Sequence, residues 1–306
     1  MNKTPETPFV FFGTSRFSVI LLEELRTMSG IVPDLIITAP DRPVGRKQII
    51  TPPPVKDWAI ENDIDTFQPE TLKENTKELI EELKNYSLFI VASYGKIIPK
   101  EILDIPTEHG TLNVHPSLLP KYRGASPIQN QILNNEKNVG TTIMLMDEQM
   151  DHGDIIAQKE VSFTGENNHI FPAPYNDVEE ILAKESALLL ADILPKWISK
   201  KISVTPQNHD TATFTKIIKK EDGEIMLSMD VEDANPELPR KNYLKYLAYS
   251  EWPKTFFFFE KDGKKMRAII TEATFEDGEF IIKKVIPEGR DEMSYEAFLK
   301  YQTNAS

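Results

Sequence analysis

Asn113 and His115 stand two residues apart in the run TLNVHPSLLPKYRGASPI, residues 111–128. Alternate residues of a strand share a face, so if TLNVH is a strand these two side chains project the same way, one pleat apart. A carboxamide can steady a developing oxyanion, and an imidazole can do the same or move a proton. The alternative is two polar residues placed where any strand meets solvent. A rigid Pro-Ser-Leu-Leu-Pro turn and then Arg123-Gly124 follow at once.

A second cluster lies in MDEQMDHGDII, residues 146–156, where Asp147, Asp151, His152 and Asp154 fall within eight positions. The spacing and the missing distal glutamate do not suit an EF-hand calcium loop. A solvated acidic turn remains one reading. The other turns Asp151 back toward His115, where a carboxylate would raise the imidazole pKa and fix its tautomer. The chain has no cysteine and no G-x-S-x-G elbow, so the attacking nucleophile is expected to come from a substrate. The turn Gly13-Thr14-Ser15 lacks the further glycines of a dinucleotide fingerprint, and NAD binding is not expected.

The elements that must hold these residues alternate along the first two-thirds of the chain. PFVFF (8–12), DLIIT (34–38), LFIVAS (88–93), TLNVH (111–115) and TTIMLM (141–146) read as strands. Helical patterns run through Phe17–Leu25, Lys56–Asn62, Glu70–Lys84, around Ile128–Leu133, and over Asn176–Lys200. This alternation predicts an α/β fold, a doubly wound and mostly parallel sheet, with ligands at the carboxyl ends of its strands. KKISVTPQNHDTAT reads as a polar linker. After it, TFFFFE, KMRAIITEA and EFIIKKV are separated by Asp262-Gly263 and Asp277-Gly278, which suit antiparallel hairpins. The expected layout is a catalytic domain over 1–201, a linker over 202–212 and a smaller β-rich, barrel-like domain over 213–306.

The chain has 306 residues, 40% hydrophobic and 27% charged, the composition of an ordinary globular protein with a sizeable core. The N-terminus has no signal-peptide pattern and no apolar run reaches membrane-spanning length, so a cytoplasmic address and no membrane partner are expected. The net charge of -13 opposes binding to polyanions. Against it, residues 39–56 hold Arg42, Arg46, Lys47 and Lys56 with one acid, Asp41. That island is either a solvated loop or a local contact for nucleic acid. His109, His169 and His209 read as solvated, Phe256–Phe259 as a strand buried on both faces, and Trp58, Trp197 and Trp252 as packing residues.

The run NVHPSLLPKYRGASPI followed by GTTIMLMDEQMDHGDI resembles the folate-dependent formyltransferases, with 36 positions separating His115 from Asp151. The resemblance implies catalytic roles for Asn113, His115 and Asp151. It implies a folate-binding stretch at Ser117, Leu118, Leu119 and Pro120, with VASYGKIIP (91–99) lining the pterin pocket. The implied donor is 10-formyltetrahydrofolate, and no metal is expected. The loop ITAPDRPVGRK is similar to that of the branch whose acceptor is initiator methionyl-tRNA, which would place Arg42, Arg46 and Lys47 against the tRNA and the β-rich domain behind it. A monomer is implied. An amino-sugar nucleotide as acceptor, or a folate- or tRNA-binding protein without catalysis, are the rival readings. Two departures bear on this: Gln149 and Met150 replace the family's glycine and leucine, and residues 207–306 carry 15 basic against 19 acidic side chains, whereas a tRNA-gripping surface is expected to be basic.

Overall fold

The computed structural model describes residues 7–45, 47–73, 76–163, 171–227 and 236–303. The chain divides into two compact units. One holds the described residues of 1–127, 138–162 and 179–215, the other those of 128–137, 163–178 and 216–306.

Strands and helices alternate as the sequence predicts. In order they are β1 (Phe9–Gly13), α1 (Arg16–Ser29), β2 (Leu35–Ile37), a hairpin of β3 (Arg42–Val44) and β4 (Ile49–Thr51), α2 (Pro54–Glu61), β5 (Asp65–Phe67) and α3 (Thr76–Leu83). Then follow β6 (Leu88–Ala92), α4 (Lys100–Leu103), β7 (Thr111–His115), β8 (Arg123–Gly124), α5 (Pro127–Leu133), β9 (Gly140–Leu145), β10 (Ile155–Glu160), α6 (Tyr175–Ile198) and β11 (Phe214–Thr215). Seven strands form one sheet in the order β10-β9-β7-β6-β1-β2-β5. The five from β7 to β5 are parallel, and β9 and β10 add antiparallel strands at one edge.

Every residue of β1, β6 and β7 is buried, as expected for parallel strands covered on both faces. Helix α1 buries Phe17, Ser18, Leu21, Leu22 and Leu25, one apolar stripe at helical spacing. Its close approach depends on Gly13, where a Cβ would stand 2.8 Å from Ser18 Oγ and 2.4 Å from the Phe11 ring. Ser18 Oγ in turn donates to the Ala92 carbonyl at 2.7 Å. From β1 the chain steps one way to β2 and β5 and returns to β6 and β7 on the other side. The reversal between β1 and β6 is where doubly wound sheets open a crevice at their carboxyl ends.

Several expectations need correction. The helix expected over 70–84 is described only from Thr76 to Leu83. Residues 69–70 are held as loop because Lys96 Nζ donates to the carbonyls of Pro69 and Glu70. His109 is buried, its carbonyl accepting from Trp197 Nε1 at 2.8 Å. Trp252 is 55% exposed and so is no packing residue, whereas Trp58 is buried with its Nε1 donating to Glu23. The stretch 202–212 is polar as expected of a linker, yet it runs hydrogen-bonded against the first unit, with Thr205 paired to Ile155 in both directions at 2.8 Å.

The second unit contains α7 (Leu238–Ala248), β12 (Phe256–Lys261), β13 (Lys264–Glu276), β14 (Glu279–Pro287), β15 (Met293–Ser294) and α8 (Tyr295–Thr303). The four strands form an antiparallel sheet in chain order. This is the antiparallel sheet expected of the smaller β-rich domain, and among the described residues its first and last strands do not pair. Both Asp-Gly turns have positive φ at both residues, 52° and 71° at 262–263 and 52° and 85° at 277–278. That is the type I′ geometry that matches strand twist. Phe298 of α8 meets Phe257 and Phe259 edge-on at centroid distances of 5.6 and 4.9 Å. Phe258 points the other way, 37% exposed, with Lys265 Nζ 4.3 Å from its ring centre, so this strand is not buried on both faces.

Tyr249, buried at the end of α7, has its hydroxyl pKa pushed from 10.0 up to about 12, chiefly by burial and then by the charge of Asp222. Above pH 10 the unfolded chain loses that phenolic proton while the folded chain keeps it, so stability falls as pH rises from 10 toward 12. The urea midpoint is expected to drop over that window, and to drop less steeply in Tyr249→Phe.

Candidate active site

Strand β7 delivers Asn113 and His115 to one face at its carboxyl end, where they lie opposite Met144 and Thr142 of β9. Both are nearly buried, at 9% and 4% exposure. Asp151 comes from the loop between β9 and β10. That loop is folded back on the strand: Leu145 N donates to the Asp154 carbonyl at 2.8 Å. Gly153 sits so close that a Cβ there would lie 2.0 Å from the Leu145 carbonyl oxygen.

The loop places the Asp151 carboxylate between two donors. Its Oδ1 accepts from Asn113 Nδ2 at 3.0 Å and its Oδ2 from the Gly124 N–H at 2.7 Å. Asp151 itself is left-handed, with φ of 49°. The cost of that conformation is about 1–2 kcal/mol for an L residue, less than two hydrogen bonds to a charged acceptor at about 1.5–3 kcal/mol each. The carboxylate also settles how the Asn113 amide points, because only its nitrogen can donate. The second amide hydrogen of Asn113 meets no partner among the described residues.

His115 is oriented differently from the sequence expectation. Its Nε2 lies 2.9 Å from the Tyr122 carbonyl oxygen. A carbonyl only accepts, so Nε2 carries the proton, and Tyr122 rather than Asp151 sets the tautomer. Nδ1 is then the ring atom turned toward Asp151, 3.7 Å from Oδ1, beyond direct hydrogen-bond length. Tyr122 reaches this position with φ of 61° and Gly124 with φ of 107°.

Around this trio lie residues to which the sequence reading gave no role in the site. Arg123 is buried at 3% and donates Nε and Nη2 to Gln207 Oε1 at 3.2 and 2.6 Å, and Nη2 to His209 Nδ1 at 2.9 Å. Burial pushes its pKa down, while the charges of Asp151 and Asp147 pull it back up. The rings of His152 and His209 stack 4.1 Å apart, and His152 Nδ1 meets Asp147 Oδ2 at 2.6 Å. His209 is exposed as expected, yet far from idle. The acids of this loop thus face different partners, and among the described residues no cluster of three or more His, Cys, Asp or Glu side chains is arranged to hold a metal ion.

In the stretch 117–120, Ser117 and Leu119 are buried and Leu118 and Pro120 partly exposed. Ser117 Oγ donates to the Lys121 carbonyl at 2.8 Å, and Leu119 N to Thr142 Oγ1 at 3.1 Å. Their polar atoms therefore brace the turn, leaving Leu118 and Pro120 as the side chains with exposed surface. Next to this, at the end of β6, Ser93 and Gly95 both have positive φ, 48° and 76°. Tyr94 is buried, its hydroxyl without a hydrogen-bond partner among the described residues, and burial pushes its pKa well above the ordinary tyrosine range.

The basic island forms the hairpin β3–β4. Arg42 is exposed and pairs with Glu70 through Nη2 at 2.7 Å. Lys47 is exposed, and Arg46 lies outside the described residues. Lys56 is not part of the free charge, since Asp41 holds it at 2.8 and 2.9 Å. The hairpin also exposes Val44, Ile49 and Ile50 at 55–62%, apolar surface that charge patterning did not reveal.

Known proteins resemble the chain over most of its length. Residues 8–169 match the Formyl transferase family. Methionyl-tRNA formyltransferase of Listeria monocytogenes is 34% identical over 96% of this chain and 95% of its own length. That of a Hydrogenobaculum species is 43% identical over 70% of this chain and 67% of its own length. Among solved structures, a 4-N formyltransferase from Francisella tularensis superposes with a TM-score of 0.59 at 22% identity, covering 85% of this chain and 95% of that one. A methionyl-tRNA formyltransferase from Clostridium thermocellum does so at 0.56 and 18% identity, over 92% and 98%. At these identities the two structures speak to the fold alone.

Replacing Gly153 by alanine drives a methyl group into the Leu145 carbonyl and displaces the loop that aims Asp151. The Gly153→Ala protein is expected to keep its secondary structure by circular dichroism while losing roughly a hundredfold in turnover, the scale of a misplacement of about 1 Å.

Proposed function

The chain belongs to the formyl transferase family, and from that premise we propose that it transfers a formyl group from 10-formyltetrahydrofolate to the α-amine of initiator methionyl-tRNA. The observation that carries this reading is the Asp151 carboxylate bridging Asn113 and Gly124 beside the His115 ring. Relatives named methionyl-tRNA formyltransferase, alike over nearly the whole chain, support the acceptor. The amino-sugar alternative draws on structural likeness below 25% identity, which extends to the fold only.

The amine attacks the formyl carbon, and the carbonyl electron pair moves onto oxygen. Asn113 offers its unused N–H to that oxyanion, and Asp151 keeps the amide turned toward it. His115 Nδ1, unprotonated when Nε2 bonds Tyr122, accepts a proton from the attacking amine. The resulting imidazolium lies 3.7 Å from Asp151 and adds its N–H to the oxyanion. Collapse of the intermediate breaks the bond to N10 of the folate, which leaves with the proton that His115 Nδ1 took from the amine, and the imidazole is neutral again. Preorganised donors of this sort are typically worth about 2.7–4 kcal/mol each in the transition state.

For the donor, Leu118 and Pro120 with the turn after β6 form the folate-binding side, and Ser117 and Leu119 support them from behind. For the acceptor, Arg42, Arg46 and Lys47 meet the tRNA backbone. The exposed Arg42–Glu70 pair is worth about 0–1 kcal/mol, so a phosphate displaces Glu70 at little cost. The β-rich unit supplies further tRNA contacts through Lys264, Lys265 and Arg267. In this reading the protein acts as a monomer in the cytoplasm. No helix among the described residues is long and apolar enough to cross a membrane.

Formyl transfer from 10-formyltetrahydrofolate to charged initiator tRNA tests the reading. Arg42→Ala is expected to raise the tRNA KM and to lower its salt slope by about one, with kcat nearly unchanged. His115→Ala is expected to lower kcat instead. Activity of His115→Ala at the wild-type rate would sink the chemical assignment, and transfer to an amino-sugar nucleotide alone would sink the acceptor.

A further inference from the structure

The polar stretch that follows α6 is bonded to the site. Arg123 N donates to the Thr213 carbonyl at 2.8 Å and Tyr122 N to Thr213 Oγ1 at 2.8 Å. Strand β11 then pairs with β8, Phe214 beside Arg123 and Thr215 beside Gly124. At the centre of this strap is Gln207, 5% exposed. Its Nε2 donates to the carbonyls of Asp151 at 3.0 Å and Gly153 at 2.7 Å. Its Oε1 accepts from Nε and Nη2 of Arg123.

We propose that Gln207 is a positioning residue for formyl transfer, tying the loop of Asp151 to the loop of Tyr122–Gly124 from a segment that reads as a linker. The proposal rests on the reading of Asp151 and His115 given above. A carboxamide has two N–H donors and two lone pairs on oxygen, and all four are used here. The opposite orientation is excluded, since it would aim oxygen at two carbonyls and NH2 at a guanidinium. The two tethered loops are the two that define the site. One supplies the Tyr122 carbonyl to His115 and the Gly124 N–H to Asp151, and the other carries Asp151 in its left-handed conformation. Gln207 holds the carbonyl of that same Asp151. Without it, the tie between Arg123 and the 151–153 backbone is lost, and the Asp151 carboxylate is aimed by Asn113, Gly124 and the packing at Gly153 without that brace.

The test is the kinetics of Gln207→Met, similar in length without hydrogen bonds, and Gln207→Glu, which keeps the acceptors for Arg123 but turns oxygen toward both carbonyls. Each is compared with wild type and with Asp151→Asn, alone and combined. Both Gln207 variants are expected to lose roughly 10- to 100-fold in kcat, with KM for folate and tRNA little changed. In the Asp151→Asn background neither is expected to cost more, because residues that act through one another are not additive. A purely structural role predicts lowered thermal stability and a loss that multiplies with that of Asp151→Asn, which would overturn the proposal. So would wild-type kcat in Gln207→Met. Should Gln207→Met not fold, Gln207→Glu decides by the same criteria. Failure of the underlying reading has its own signature, wild-type turnover in Asp151→Asn, and would overturn both.

Discussion

The Asp151 carboxylate, held between the Asn113 amide and the Gly124 N–H, is the interaction on which the rest of the site depends. A carboxylate this close to burial, with 13% of its side chain exposed, needs donors for its oxygens or its desolvation goes uncompensated. The fold supplies one from a strand end and one from a loop backbone. In return the charge orients the amide that would meet an oxyanion and faces the ring that would move a proton. Everything nearby serves that placement: the tight turn at Gly153, the left-handed backbone at Asp151 and Tyr122, and the strap that carries Gln207.

Long-range charge and local charge are divided between different parts of the molecule. The chain carries a net charge of -13, which disfavours a polyanion at a distance. At physiological salt, screening acts over about 8 Å, so a small hairpin with Arg42 and Lys47 can present its own field. Glu70 occupies Arg42 meanwhile, and Lys96 fixes the backbone of Glu70 through two carbonyl contacts. Lys96 has its pKa lowered, first by burial and also by Arg42, with Glu70 opposing. On the proposed reading, the hairpin would meet its acceptor by local charge rather than by overall attraction.

Much of this was legible in the sequence, for reasons specific to each residue. The period of two in TLNVH puts Asn113 and His115 on one face, and continuous apolar runs mark strands buried on both sides. Both Asp-Gly turns appear where positive φ was required. Sequence alone offered Asp151 facing His115 as one of two readings, and the resemblance favoured it for a catalytic role, because no local pattern tells Asp151 from Asp147 or Asp154 beside it. Other features were hidden because they depend on tertiary hydrogen bonds. The Tyr122 carbonyl that sets the His115 tautomer has no side-chain signature. Gln207 sits in a stretch whose composition resembles any solvated tether. Burial of His109, exposure of Trp252 and the loop at 69–70 likewise follow from neighbours far away in the chain.

The central claim is that Asp151 organises the chemical step rather than the binding of either substrate. Single-turnover formyl transfer, with enzyme in excess over charged initiator tRNA and saturating 10-formyltetrahydrofolate, isolates that step in wild type and Asp151→Asn. The account predicts a rate constant lowered roughly 10²- to 10³-fold, with both substrates bound as tightly as by wild type. An Asp151→Asn protein that transfers the formyl group at the wild-type rate would contradict it.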